Sequence, residues 1–190
     1  MVLKQVQAVK ELFKKTINTT EVENVFEMYF GNNGVILRPK EQSLKSLCVK
    51  TPLTNFLITK KPRNSEVNMS EEEKKIFENL LTYSITMDIK MYNEFQKHKE
   101  LVKYIPRFYY EEINKGHDFI IMDYIEGEYF ESIGPFNCQN PQQDSLDYIY
   151  CLLISEGFDI ADRLEAIYNR EKSRFIIVDL GGLDHNSNYY

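Results

Sequence analysis

VFEMYFGNNGVILRPKEQSLKSLCVK, residues 25–50, holds three short β-prone runs. Val25–Phe30 and Val35–Arg38 flank Gly31-Asn32-Asn33-Gly34, and Asn-Gly between two such runs is a strong hairpin signal. Leu44–Lys50 reads as a third strand. Upstream, residues 2–17 space Val2, Val6, Val9 and Phe13 at helical intervals, which predicts an amphipathic helix. Downstream, Pro52 and Lys60–Asn68 read as loop, and Ser70 with Glu73 forms a capping box. That box opens a helical pattern reaching about Lys103, with a break near the β-branched Ile85-Thr86 as an open alternative. Arg107–Ile113 and Asp118–Tyr124 predict a second hairpin around Asn114-Lys115-Gly116. Gly127–Gln143 is loop-rich, Asp144–Glu156 is helical with Gly157 as its cap, and Ala166–Tyr168 and Arg174–Val178 are short strands. The predicted class is α+β, with an antiparallel sheet and a helix inserted after its third strand.

The chain has 190 residues, 43% of them apolar and 27% charged, which suits one domain of one or two lobes. Its longest apolar run, Tyr148–Ile154, falls far short of the roughly 20 residues that span a bilayer, so no transmembrane helix is expected. The amino terminus scatters lysines among its apolar residues, unlike a signal peptide, and a cytoplasmic location is expected. The net charge of −6 argues against nucleic acid as a partner, because phosphate binding wants a concentrated basic face. Cys48, Cys138 and Cys151 are odd in number and widely spaced, and read as reduced thiols. His98, His117 and His185 show no metal-ligand spacing with one another. Lys4, Lys10, Lys14 and Lys15 beside the apolar stripe of the first helix leave two readings open, packing on the sheet or contact with a partner or an acidic membrane surface.

Five motifs carry the chemistry. Gly31-x-x-Gly34-x-Ile36 lets backbone amides approach an anion, although a plain turn has the same form. Lys50 ends the apolar run Leu47-Cys48-Val49, where an ammonium must be paired or hold an anion. Glu94, with Glu78 as a rival, is a helix carboxylate that could reach such a lysine. Met122-Asp123-Tyr124-Ile125 leaves a buried strand as an extended segment whose backbone can pair with a flat heteroaromatic base. Asp179 follows four apolar residues and precedes Leu180-Gly181-Gly182, the way a strand delivers a carboxylate to a hard cation.

Taken in order, these motifs resemble the protein-kinase-like family from about Val25 to Gly182. The resemblance implies a five-stranded antiparallel N-lobe sheet with a long inserted helix over residues 1–122, then a hinge and a reduced, mainly helical C-lobe over 123–190. It implies ATP and Mg2+ as ligands. Gly31 and Gly34 would cover the phosphates, Lys50 would contact the α- and β-phosphates, and Glu94 would orient Lys50. Met122 would lie behind the adenine, Asp123, Tyr124 and Ile125 would form the hinge, and Asp179 would hold magnesium. The catalytic base would be Asp159 or Asp162, but this stretch lacks the family's histidine and asparagine. The sequence ends at Tyr190, soon after Asp179, where the family continues into a substrate platform. Three activities follow as expectations: a minimal protein (Ser/Thr) kinase with a protein substrate, a pseudokinase acting as regulator or binding module, or a small-molecule phosphotransferase. Kinase-like chains of this size also occur among proteins that bacteria or viruses send into host cells, which extends the expected compartment to a host cytosol.

Overall fold

The computed structural model describes residues 2–17, 19, 21–31, 34–52, 85–113, 118–132, 134–160 and 163–185. Two compact units divide the chain, Met1–Thr86 with Arg107–Tyr124, and Met87–Pro106 with Ile125–Tyr190. Residues 87–106 thus group with the second unit, whereas the division read from the sequence put them with the first.

In the first unit, helix α1 (Val2–Thr16) sets Val6, Val9 and Phe13 on one stripe, because residues three and four apart share a helix face. All three are buried with Val35, Leu37, Leu47, Val49, Phe119 and Ile121 in one core cluster. The Phe13 and Phe119 ring centroids are 4.6 Å apart. The lysines beside the stripe are engaged as well: Lys10 donates to the Tyr110 hydroxyl at 2.6 Å and Lys14 to Glu112 at 2.7 Å. Of the two readings of this helix, packing on the sheet is therefore the one realised.

A short helix α2 (Val22–Val25) leads into β1 (Phe26–Phe30), followed by β2 (Gly34–Pro39) and β3 (Leu47–Pro52). With β4 (Phe108–Glu112) and β5 (Phe119–Asp123) they form a five-stranded antiparallel sheet in the order β1-β2-β3-β5-β4. The third strand begins at Leu47 rather than Leu44, because a 3-10 turn over Gln42–Leu44 intervenes, closed by Leu44 N–H on the Glu41 carbonyl at 3.0 Å. Leu44 keeps its side chain in the core from that turn. Pro52, expected in a loop, ends β3. The loop expected at 60–68, the capping box at Ser70 and the turn 114–116 lie outside the described residues.

The second unit takes most of α3, helical over residues 85–95. Ile85 and Thr86 are both helical, and the helix ends at Phe95 rather than near Lys103. Past that point the Lys97 and His98 amides close back by three residues onto Glu94 and Phe95, a tightening that ends an α-helix. The turn lets Leu101 and Tyr104 bury completely. Helix α4 (Leu146–Ser155) starts at Ser145, whose hydroxyl accepts the Tyr148 amide at 3.2 Å, and it stops before Gly157 at a φ of 82°. Beside these helices stand an antiparallel sheet of β6 (Glu128–Ser132), β8 (Leu164–Asn169) and β9 (Arg174–Ile177), and a pair of β7 (Phe158–Ile160) with β10 (Leu183–His185). This corrects the expectation of a mainly helical second lobe. Strand β6 was hidden because Glu128-Tyr129-Phe130-Glu131-Ser132 is an edge strand with much of its surface exposed, so it lacks the apolar run that marks a buried strand.

The reading of three reduced thiols is corrected too. Cys138 and Cys151 form a disulfide with Cα atoms 5.6 Å apart, while Cys48 is free and buried. Residues 134–138 return beside α4, which the spacing alone did not reveal. Among the described residues, no helix is long and apolar enough to cross a membrane.

Candidate functional site

Lys50 sits on β3, the central strand of the five-stranded sheet. Val49 and Leu47 point into the α1 core, so the period-two alternation of a strand turns Cys48 and Lys50 to the opposite face. Register places Lys50 in a cross-strand row of Tyr29, Ile36, Lys50, Ile120 and Glu111. Met122, opposite Cys48, lies on that same face. So does Gly34, which pairs with Pro52 two residues along β2 from Ile36, about 7 Å from the Lys50 row. Slipping β3 by one residue would drive the ammonium into the α1 core, which fixes this register strongly. A Cβ on Gly34 would stand 3.0 Å from the Thr51 carbonyl oxygen, a tight contact that would ask β3 to give by a few tenths of an ångström. Gly31 closes the same hairpin, donating its amide to the Gly34 carbonyl at 2.8 Å, while Asn32 and Asn33 lie outside the described residues. Burial pushes the Cys48 thiol well up, so it is no nucleophile.

Asp123 closes β5 and is held from several sides. Its amide donates to the Arg107 carbonyl at 2.9 Å, and its carboxylate accepts the Tyr109 hydroxyl at 2.7 Å and the Arg107 amide at 3.3 Å. Burial first, then this carboxylate, raise the Tyr109 phenol above its ordinary value. The Tyr124 amide donates to the Ser46 carbonyl at 2.9 Å. The Tyr124 ring lies 4.0 Å from the Arg38 guanidinium, and burial raises its phenol. Ile125 is buried and opens the second part of the other unit.

In the second unit, Asp179 follows β9 in the turn that leads to β10, and it is half-buried. The turn is tied by Val178 N–H to the Glu165 carbonyl at 3.0 Å and by Leu183 N–H to the Leu180 carbonyl at 3.1 Å. Its glycines are gripped by a residue the sequence reading passed over. Asp88, 1% exposed on α3, accepts the Gly181 amide through Oδ1 at 2.9 Å. The signal was an acid set inside the apolar stripe Ile85, Ile89, Phe95, where an unpaired carboxylate costs several kcal/mol, about the price of a lost buried ion pair.

Asp159 lies on β7 rather than in a loop, exposed and directly opposite Asp184 of β10. It borders a cavity of about 350 Å³ with Ser132, Phe136, Tyr150 and Ile160, in which Phe136 stacks on Tyr150 at 4.0 Å. Its rival Asp162 lies outside the described residues.

Glu94, near the end of α3, is engaged within its own unit. Lys97 Nζ is 2.5 Å from its Oε2 and His185 Nδ1 is 3.5 Å from its Oε1. Lys97, foremost, holds the Glu94 carboxyl below the usual carboxylate range. His98 completes the group, its Nδ1 2.6 Å from Glu156 Oε2. One ligand atom from each of Glu94, His98 and His185 lies within 4.8 Å of the others. The histidine spacing gave no sign of this, because the β7–β10 pairing brings His185 opposite Phe158, and the Phe158 ring touches both imidazoles.

No family model matches the chain, and no curated protein matches it. Among solved structures, it is similar to a Rio2 kinase from Chaetomium thermophilum, crystallised as an ADP/Mg2+-phosphoaspartate complex, with 14% identity and a TM-score of 0.43. The match covers 86% of this chain and 49% of the other, so this chain spans about half the length of the protein it matches.

Proposed function

We propose that the chain is a kinase-like protein that binds ATP with Mg2+ and transfers the γ-phosphoryl group to a hydroxyl of a protein substrate. The observation that carries this reading is the single sheet face shared by Gly34, Lys50 and Met122, with Lys50 on the central strand. A half-buried ammonium among Ile36, Ile120 and Met122 suits a triphosphate, whose charge it would neutralise, and the flanking apolar side chains suit a purine. Asp179 has the donor chemistry for a hard cation, since magnesium takes oxygen ligands. Bound Mg2+ would supply charge neutralisation at the phosphoryl oxygens. Lys50 would then orient the phosphates, Gly31 and Gly34 would let backbone approach them, and Asp123, Tyr124 and Ile125 would border the base. Asp88 would keep the Asp179 turn in place through Gly181. Glu94, committed to Lys97 and His185, is left out of the nucleotide reading.

A second reading, a nucleotide-binding regulator without chemistry, is favoured by Asp159, which is fixed in a strand opposite another aspartate instead of standing in a catalytic loop. Thermal-shift titration with ATP, with and without Mg2+, tests the shared part. Ligand at 100 times its dissociation constant adds about 2.7 kcal/mol of stability. Lys50→Met should abolish the shift with ATP, and Asp179→Asn should abolish its Mg2+-dependent part; an unchanged shift in both variants rejects the site. Radiolabel transfer from ATP to a generic protein acceptor then separates the kinase from the regulator.

A further inference from the structure

Glu94 and His98 lie four residues apart and His185 far along the chain, all within the second unit, and none of them serves the nucleotide reading. Their side chains are about four-fifths buried, at 21%, 19% and 15% exposure. Two imidazoles and a carboxylate form a donor set that suits zinc, which takes nitrogen and oxygen at about 2.0–2.1 Å in a tetrahedron. Two ligand atoms of such a tetrahedron stand about 3.3–3.4 Å apart. His185 Nδ1 and Glu94 Oε1, at 3.5 Å, are near that spacing, and are long for a hydrogen bond. His98 has the outer support typical of a ligand: Glu156 Oε2, 2.6 Å from Nδ1, fixes the ring, which would leave Nε2 as the ligand atom. Lys97 does the same for Glu94, holding Oε2 and leaving Oε1 to His185. Phe158 walls the group, its ring centroid 4.7 Å from that of His185 and 5.2 Å from that of His98.

We propose that Glu94, His98 and His185 bind a divalent transition metal of the zinc class, with solvent as fourth ligand, and so clip β10 to the end of α3. The proposal is independent of the nucleotide reading.

Isothermal titration of the chelator-treated full chain with Zn2+ tests it. One zinc per chain at micromolar or tighter affinity is expected, and Mg2+ should not compete, because imidazole disfavours a hard cation. His98→Asn and His185→Asn should each weaken binding at least tenfold with unchanged far-UV circular dichroism, Glu156→Gln should weaken it less, and His117→Asn should leave it unchanged. Should a ligand variant fail to fold, the Co2+-loaded parent chain decides: intense visible absorption of a tetrahedral site, removed by one equivalent of Zn2+, supports the site. No zinc binding by the parent, binding that survives both histidine variants, or octahedral cobalt spectra would overturn it.

Discussion

Truncating Phe13 to alanine removes a ring with 0% exposure that lies 4.6 Å from the Phe119 ring. The cost can be reached in two ways. Buried Phe→Ala changes typically cost about 3–5 kcal/mol, transfer and cavity terms together. A phenyl side chain of about 150–200 Å², at about 25 cal/mol per Å², gives about 4–5 kcal/mol. The neighbours Val9, Leu37 and Ile121 are themselves fully buried and branched, so they can collapse little into the void, and about 4 kcal/mol is expected. For a chain of this length each kcal/mol lowers the melting temperature by about 2–4 °C, which makes the drop about 8–16 °C. Leu3 on the same helix is 81% exposed, and Leu3→Ala should stay within about 0.5 kcal/mol of the parent. Urea denaturation of both variants, followed by circular dichroism, reads the contrast. If Phe13→Ala lost less than about 1 kcal/mol, or if the two variants behaved alike, α1 would not be part of the sheet's core and its apolar stripe would be available to a partner.

Gly127 has a φ of +157°, and a Cβ there would fall 2.1 Å from the Tyr168 carbonyl oxygen. Gly127→Ala should therefore force β6 off β8 and cost about 3 kcal/mol or more in a thermal melt; parental stability would refute the pairing. Thiol titration of the denatured, unreduced chain should find one reactive cysteine and the reduced chain three, since Cys138 and Cys151 are bridged. Replacing both bridged cysteines by serine opens a loop with a sequence separation of 13 and should cost about 3 kcal/mol; a neutral outcome would show that the bridge does not constrain the unfolded chain. Because the folded Glu94 carboxyl is depressed, its contribution is present above its unfolded value and is lost as pH falls through the folded one. Lys97→Met removes the foremost cause, so NMR titration should show the Glu94 midpoint moving up and the acid limb of stability moving with it; an unmoved midpoint would mean that His185 or His98 sets the shift.

Local signals sufficed for α1 and for the β1–β2 hairpin of the first unit. The α1 stripe and the Asn-Gly hairpin each rest on contacts between neighbours in sequence, and Lys50 was legible as the ammonium that ends the apolar run Leu47-Cys48-Val49. The end of α3 was misread because helical spacing continues through Lys97-His98-Lys99-Glu100, and what stops the helix there is the burial of Leu101 and Tyr104. Edge strand β6 and the short pair β7–β10 stayed invisible, since three to five residues with exposed faces carry no periodicity that distinguishes them from loop. The disulfide, the grip of Asp88 on Gly181, and the arrival of His185 beside Glu94 and His98 are pairings between residues that lie apart in the chain. A sequence fixes which side chains share a helix stripe or a strand face, because backbone geometry sets those periods. Which stripes and strands then meet depends on how the apolar faces pack, and that is decided in three dimensions.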